Sequence, residues 1–405
     1  MKCILHIGTE KTGTTILQDW LYDNQAEFSK VGVYLSDNLG KTNNRLVPAY
    51  YLDHLDDWAT HNRISNDAEK RQYFEGFTER LTNEILTAKE THNYFIITSE
   101  HLHSRIRKKE EIERLYSYLI SVFDEIELVC YFRDQFDLAV SLYSTALKVN
   151  SLASVEQFIE NASPENYYYN YLQIAENWAG VFGNTNCNFR IYDRSKFIDN
   201  DIRLDFLSVV DGGIDAAKLN MNRASSNESL SLLQGAAFRA INRNIPYWGT
   251  DNLGMNRDND RAKNMAVNVG SLKLGKITSA KSELIKDKFA ETNTLFFEKY
   301  FTAQDKFPIS QVDSNGIMTF DEARSAVEDT LELGLKIDAN ITYSLTEEQM
   351  NSLRDIALRI FDHKSDSIED ALALMKIALS HRPNGPLIKN KVEQWSAILK
   401  SSENE

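Results

Sequence analysis

CILHIGTEKTGTTILQDWL, residues 3–21, reads as a short apolar strand, a loop holding Gly8 and Gly13, and an amphipathic helix. Glycines in such a loop let backbone approach an anion closely, and the N–H groups at the N-terminus of the following helix point at it. The two glycines have the spacing of the triphosphate loop G-x-x-x-x-G-K-[ST]. The next residue, however, is Thr14, and the lysine stands inside the loop as Lys11. In the triphosphate form the lysine reaches the β/γ-phosphates and the hydroxyl after it holds Mg²⁺. Here Lys11 falls at mid-loop, near the bridge between a 5′-phosphate and its leaving group, and the hydroxyls and amides of Thr14 and Thr15 face the phosphate. The loop therefore fits a donor with a single 5′-phosphate better than a triphosphate. The plain alternative is a polar turn in which a threonine caps a helix.

Working outward, three more apolar runs have strand length: Tyr94–Ser99, Glu127–Arg133 and Asn188–Asp193. Helical patterns lie between them, over Thr14–Ser29, Glu110–Phe123, Asp137–Val149 and Ile202–Val210. Alternation of this kind predicts an α/β fold, a parallel sheet flanked by helices of the P-loop nucleotide-binding type. Ligands in such sheets bind outside the carboxyl ends of the strands. Chemistry is therefore expected just after Ile7, Thr98, Phe132 and Tyr192. From about Asn227 the periodicity turns helical, clearest over Glu228–Arg243 and Ser279–Phe301, and a Gly/Asn/Asp-rich loop (Tyr247–Asp260) lies between. Beyond a turn at Asp313–Gly316 come four helical segments, Asp321–Leu335, Thr346–His363, Ile368–Ser380 and Leu387–Lys400. A boundary is placed at 310, with residues 1–310 as the catalytic domain and 311–405 as an all-helical C-terminal extension. Its last helix pair has the small-residue and proline placement of a single tetratricopeptide-like hairpin, which cannot stack into a solenoid by itself. An ordinary hairpin in a bundle is the simpler reading.

The composition narrows the function classes. The chain has 405 residues, 45 Lys+Arg against 59 Asp+Glu, and a net charge of −14. That balance argues against a general nucleic-acid binder and against retention on anionic membranes by charge. Three cysteines, Cys3, Cys130 and Cys187, cannot build a disulfide framework and have no metal-ligand spacing. No apolar run approaches the roughly 18 residues of a bilayer span, and the N-terminal apolar stretch is too short for a signal-peptide core. The chain reads as cytoplasmic.

ELVCYFRDQFDLAVSLYSTAL, residues 127–147, holds the second site. Arg133 ends a strand and offers a planar fork suited to phosphate, and Ser141 follows on the next helix. Together they can bind a second phosphate. The alternative pairs Arg133 with Asp134 or Asp137 and leaves Ser141 as helix filler. With KTGTT at 11–15 and FRDxxxxxxS at 132–141, the chain resembles the sulfotransferases that use 3′-phosphoadenosine-5′-phosphosulfate (PAPS). TSEHL at 98–102, RIYDRSKF at 190–197, DFL at 205–207 and KFAETNTLFFEKYF at 288–301 resemble the bacterial, carbohydrate-type members. The likeness spans residues 1–308. It implies that Lys11, Thr12, Gly13, Thr14 and Thr15 bind the 5′-phosphosulfate end and that Arg133 and Ser141 bind the 3′-phosphate. Tyr192, at a strand end, is a candidate for the nucleotide edge. PAPS is then the co-substrate, and the chemistry needs no metal. The lysine-glycine-rich segment that closes over the 3′-phosphate in the cytosolic branch has no clear equivalent; Lys273, Lys276 and Arg223 are loose candidates. Trp58 is an equally loose candidate for stacking on adenine.

Sulfuryl transfer to a hydroxyl asks for in-line positioning, neutralisation of the leaving phosphate and a base for the acceptor proton. Lys11 suits the second task. For the base, the resemblance implies a carboxylate or a histidine, and IITSEHLHSR at 96–105 offers Glu100, His101 and His103 at a strand end. Glu100 is preferred, with His103 and His101 behind it. The alternative makes Glu100 a helix-dipole charge and both histidines surface residues; His6 reads as a satisfied strand histidine. Tyr167, Tyr168, Tyr169 and Tyr171 line a sugar site or pack in the core. The expected activity is sulfuryl transfer from PAPS to a hydroxyl of a glycan or glycolipid that is not polyanionic, since the only basic concentration is Arg105–Lys109. The competing readings are an ATP-dependent phosphotransferase with a variant phosphate loop and a non-catalytic nucleotide-binding interaction protein.

Overall fold

The structure, a computed structural model, describes residues 1–210, 214–222, 229–248, 256–268, 279–302, 305–308, 347–362 and 368–402. Five parallel strands form one sheet in the order β2-β3-β1-β4-β5. They are β1 (Lys2–His6), β2 (Val33–Leu35), β3 (Tyr94–Thr98), β4 (Glu125–Phe132) and β5 (Cys187–Ile191). Central β1 places Leu5 beside Ile97 of β3 on one side and beside Leu128 of β4 on the other. Cys3, Ile4 and Leu5 have no exposed surface. A strand covered on both faces needs such an unbroken apolar run, which is why the alternation of a half-exposed strand is missing here.

The chain leaves β1 for β2 and β3 on one side and leaves β4 for β5 on the other. Connections therefore diverge between β1 and β4, the switch point at which doubly wound sheets open a crevice. The loop at 8–13 and the residue after Phe132 meet there.

Two of the differences from the sequence expectation lie at the first helix and at the edge of the sheet. The helix expected over Thr14–Ser29 is two helices, Thr14–Asp23 (α1) and Gln25–Lys30. Asn24 separates them at φ −106° and ψ 12°. Its side chain donates to the Trp20 and Asn220 carbonyls at 2.9 and 3.2 Å and accepts from the Asn220 amide at 2.7 Å. Edge strand β2 was not anticipated. It is three residues long and pairs with β3 alone, through Val33, Tyr34 and Leu35.

One core cluster packs α1 onto the sheet: Leu17, Trp20 and Leu21 meet Ile4, Ile96 and Val129. Elsewhere Phe296, on the helix Ser279–Tyr300, meets Phe132 at a ring-centroid distance of 5.0 Å and Tyr171 at 6.2 Å. Tyr169 and Tyr171 are core residues, 3% and 1% exposed.

The chain divides into two compact units, Met1–Tyr247 with Lys273–Thr319, and Trp248–Leu272 with Phe320–Glu405. In the second, the helices Glu347–Asp362, Ile368–His381 and Pro386–Ser402 close on a small core of Ala357, Ala371, Met375 and Ala378. Trp395 stacks on Phe361 at 4.5 Å with 15° between the planes. The expected helix at 321–335, the turn at 313–316 and the boundary at 310 lie outside the described residues. Among the described residues no helix is long and apolar enough to cross a membrane.

Candidate active site

The loop after β1 continues the strand against β4 before it turns. Ile7 N donates to Val129 O at 3.0 Å, and Thr9 Oγ1 donates to Tyr131 O at 2.9 Å. Thr12 Oγ1 then donates back to Thr9 O at 2.6 Å and closes the turn. Gly13 takes φ 72°, where glycine has no steric penalty. A side chain there would meet the Tyr192 ring at 3.3 Å. Gly8 is needed for a different reason. A Cβ on it would lie 2.8 Å from Thr14 Cγ2 and 2.9 Å from His6 Nε2.

Lys11 also sits in the left-handed region, at φ 68°, without being glycine. Such a conformation costs of order 1 kcal/mol and persists only where the surroundings fix it. Here they fix it at both ends. Arg133 Nη1 donates to the Lys11 carbonyl at 3.0 Å, and the Lys11 ammonium donates to Thr145 Oγ1 at 2.8 Å. Tyr171 OH in turn donates to Arg133 O at 2.6 Å. Arg133 lies over the Tyr192 ring, 5.6 Å from its centroid.

These contacts bring the two sequence motifs together. Lys11, Gly13, Thr14, Thr15, Arg133, Ser141, Tyr192 and Glu100 all line one cleft of about 500 Å³. Glu10, His101, Thr145, Arg194 and Ser229 line it as well. Burial lowers the affinity of Lys11 for its proton; Lys148 and Arg133 push the same way, against Glu10 and Glu100. An anion entering the cleft would relieve that clustering of positive charge. Ser141 is 6% exposed and lies on the helix Gln135–Lys148, whose N-cap Asp134 follows Arg133 directly.

Glu100 begins the helix Glu100–Arg105 immediately beyond β3. Its Oε2 accepts from Gln18 Nε2 at 2.6 Å, and its Oε1 lies 3.8 Å from His101 Nε2. Burial lowers the pKa of His101, while Glu100 raises it. Glu10 is drawn below the usual carboxylate range: burial opposes this, but the Ser104 and Tyr168 hydroxyls beside it, His103 and Arg105 outweigh it.

Two residues of the expected set stay out of the cleft. Thr12 is fully buried and spends its hydroxyl on the turn. His103 is also fully buried, its Nε2 donating to Tyr168 O at 3.2 Å and its ring 4.8 Å from that of Tyr168. Burial pushes its pKa down to about 4. Trp58 packs on Tyr73 and Phe74 at 5.1 and 5.3 Å, away from the cleft lining. Arg223, Lys273 and Lys276 lie outside the described residues. Glu10, Thr145, Arg194 and Ser229 were not anticipated. Glu10 precedes KTGTT and Arg194 lies within RIYDRSKF, which is a usable signal. Thr145 has a weaker one, one helical turn beyond Ser141.

The chain matches no family model. Among curated proteins it is similar to an uncharacterized protein of Archaeoglobus fulgidus, 27% identical over 190 residues, which cover 46% of this chain and 48% of the relative. The chain thus spans about half the length of that relative. Among solved structures it is similar to the sulfotransferase domain of the Synechococcus PCC 7002 olefin synthase, with 13% identity, a TM-score of 0.33, and coverage of 72% of this chain and 94% of that one. A likeness at that level carries no weight for activity.

Proposed function

We propose that the chain transfers a sulfuryl group from PAPS to a hydroxyl of a glycan or glycolipid. The observation that carries this reading is the 3.0 Å bond from Arg133 to the Lys11 carbonyl, which ties the two anion-binding motifs into one cleft. Gly8 and Gly13 stand where a side chain would press on Thr14 and His6 or on the Tyr192 ring, so glycine is what lets the loop fold this tightly at the helix N-terminus. In this reading Lys11, Thr14 and Thr15 hold the phosphosulfate end. Arg133 and Ser141 hold the 3′-phosphate, and Tyr192 borders the nucleotide. Thr12, whose hydroxyl is turned inward, supports the loop.

The chemistry divides among few groups. The acceptor oxygen attacks sulfur in line, and the bond from sulfur to the bridging oxygen breaks. Glu100 takes the acceptor proton. Lys11 neutralises charge on the departing phosphate. Two carboxylates and a histidine in the cleft lining, Glu10, Glu100 and His101, favour an acceptor without a dense negative charge. Buried, free Cys3 and Cys130 accord with a reducing, cytoplasmic setting.

Calorimetry with adenosine 3′,5′-bisphosphate tests the donor site, and labelled PAPS with a panel of hydroxyl acceptors tests transfer. Lys11→Ala is expected to lower turnover by about 10²–10³, the usual cost of removing one donor to a developing charge. Arg133→Ala is expected to weaken bisphosphate binding. Normal binding and turnover in both variants overturns the reading. Mg²⁺-dependent ATP turnover would replace it with phosphotransfer.

A further inference from the structure

Gln18 lies on α1 one turn beyond Thr14 and is only 2% exposed. Its Nε2 donates to Glu100 Oε2 at 2.6 Å and reaches Thr98 Oγ1 at 3.4 Å. Thr98 Oγ1 is also 2.8 Å from His6 Nδ1. A continuous buried line of polar contacts therefore runs from His6, beneath Gly8, through Thr98 and Gln18 to one oxygen of Glu100. The other oxygen faces His101 across 3.8 Å. Nothing in the phosphate-binding role of α1 calls for an amide there.

We propose that Gln18 is a positioning residue that fixes the Glu100 carboxylate relative to the phosphate loop. This rests on the reading of Glu100 as the base of the transfer. α1 starts at the loop itself, so its rigid first turns set the spacing between Thr14, Lys11 and the carboxylate. The amide leaves Oε1 as the oxygen available to an acceptor hydroxyl. The charged groups around the pair are His101 on the same helix, Lys11 and Glu10 on the loop, and Arg45 and Arg105, which act on His101.

Gln18→Met removes the donor at similar volume, and Gln18→Glu keeps the shape while setting a second carboxylate against the first. The measurement is kcat and KM for PAPS across pH 5–9, with bisphosphate affinity as the check that each variant is folded. Gln18→Met is expected to lower kcat by about tenfold or more. Gln18→Glu, which adds a like charge beside Glu100, is expected also to move the acid limb of the kcat profile up. Bisphosphate affinity and the KM for PAPS stay at the wild-type values, a split that loss of fold would not give. Wild-type kcat and an unmoved acid limb in both variants overturn the positioning role alone. Wild-type protein that neither binds the bisphosphate nor transfers overturns the reading beneath it, and the positioning role falls with it.

Discussion

His6 and His103 have no exposed surface, and burial holds both neutral, with pKa values pushed down to about 3 and about 4. In the unfolded chain each would titrate near 6.5. Their folded values are depressed, so the unfolded state takes up protons first, and the stability they allow above pH 6.5 is lost as pH falls toward 4. At pH 5 the loss is about 2 kcal/mol for each. His103→Gln keeps a donor for Tyr168 O and removes one titration. Unfolding free energies from urea titrations at pH 7.5 and 5 are expected to show a fall smaller by about 2 kcal/mol in the variant than in the wild type; an equal fall would mean that His103 is protonated in the fold. The same residue shows where reading stopped. Spacing in the chain singles out Lys11, Gly13, Thr14, Arg133 and Ser141, because glycine geometry and a strand-end arginine are local features. It does not say which way His103 turns on a six-residue helix, nor that Gln18 meets a carboxylate 82 positions away.

At the scale of elements, β1, β3 and β4 were legible because central parallel strands are unbroken apolar runs, and edge strand β5 was legible through Phe189 and Ile191 near its end. β2 was not, since three residues at a sheet edge carry no period. The break at Asn24 was hidden for a related reason: its cause is the backbone of Asn220, far along the chain. The helix Gln135–Lys148 gives a test of how an element at the cleft is held. Asp134 caps it, accepting from the amides of Phe136 at 3.0 Å and Asp137 at 3.2 Å. Burial, with Asp137 adding to it, raises the Asp134 carboxyl to about 6. A raised folded value means that the contribution of this group is best below the unfolded value near 4 and worsens as pH rises through 6. Asp134→Asn keeps the accepting oxygen and removes the buried charge. Relative to wild type it is expected to gain stability above pH 6, by about 3 kcal/mol at most, with the gain vanishing toward pH 4. Asp134→Ala, which has no cap, is expected to lose about 1 kcal/mol relative to Asp134→Asn at every pH. Denaturant unfolding at pH 4, 6 and 8 separates the two, and a gain that persists at pH 4 would contradict the assigned shift.

Over the whole molecule the proposed function asks a net charge of −14 to coexist with a cleft that accepts an anionic donor. The structure reconciles them by keeping positive groups local. Lys11 and Arg133 are brought together at the switch point of the sheet, whereas Arg105, Lys108 and Lys109 of the basic run are spent on neighbouring acids. Arg105 lies 3.1 Å from Asp57, 3.5 Å from Asp56 and 3.8 Å from Glu10. Lys108 lies 3.2 Å from Asp53 and Lys109 lies 3.5 Å from Glu113. Residues 53–57 belong to the insertion between β2 and β3, which Arg105 links to Glu10 of the cleft. That insertion therefore offers carboxylates where a polyanionic chain would need cations, and the composition showed the run of basic residues without showing its partners. A heavily sulfated acceptor would depend on long-range attraction that salt screens beyond about 10 Å at 0.1 M. A neutral hydroxyl acceptor held by contact would not. The acceptor KM is accordingly expected to stay within about twofold between low salt and 0.3 M NaCl, where the screening length is shorter still. Neutral glycans are expected to be turned over faster than their sulfated counterparts under both conditions. Faster turnover of the sulfated chain, with a KM that climbs steeply with salt, would mean that Asp53, Asp56 and Asp57 release their cations to the acceptor.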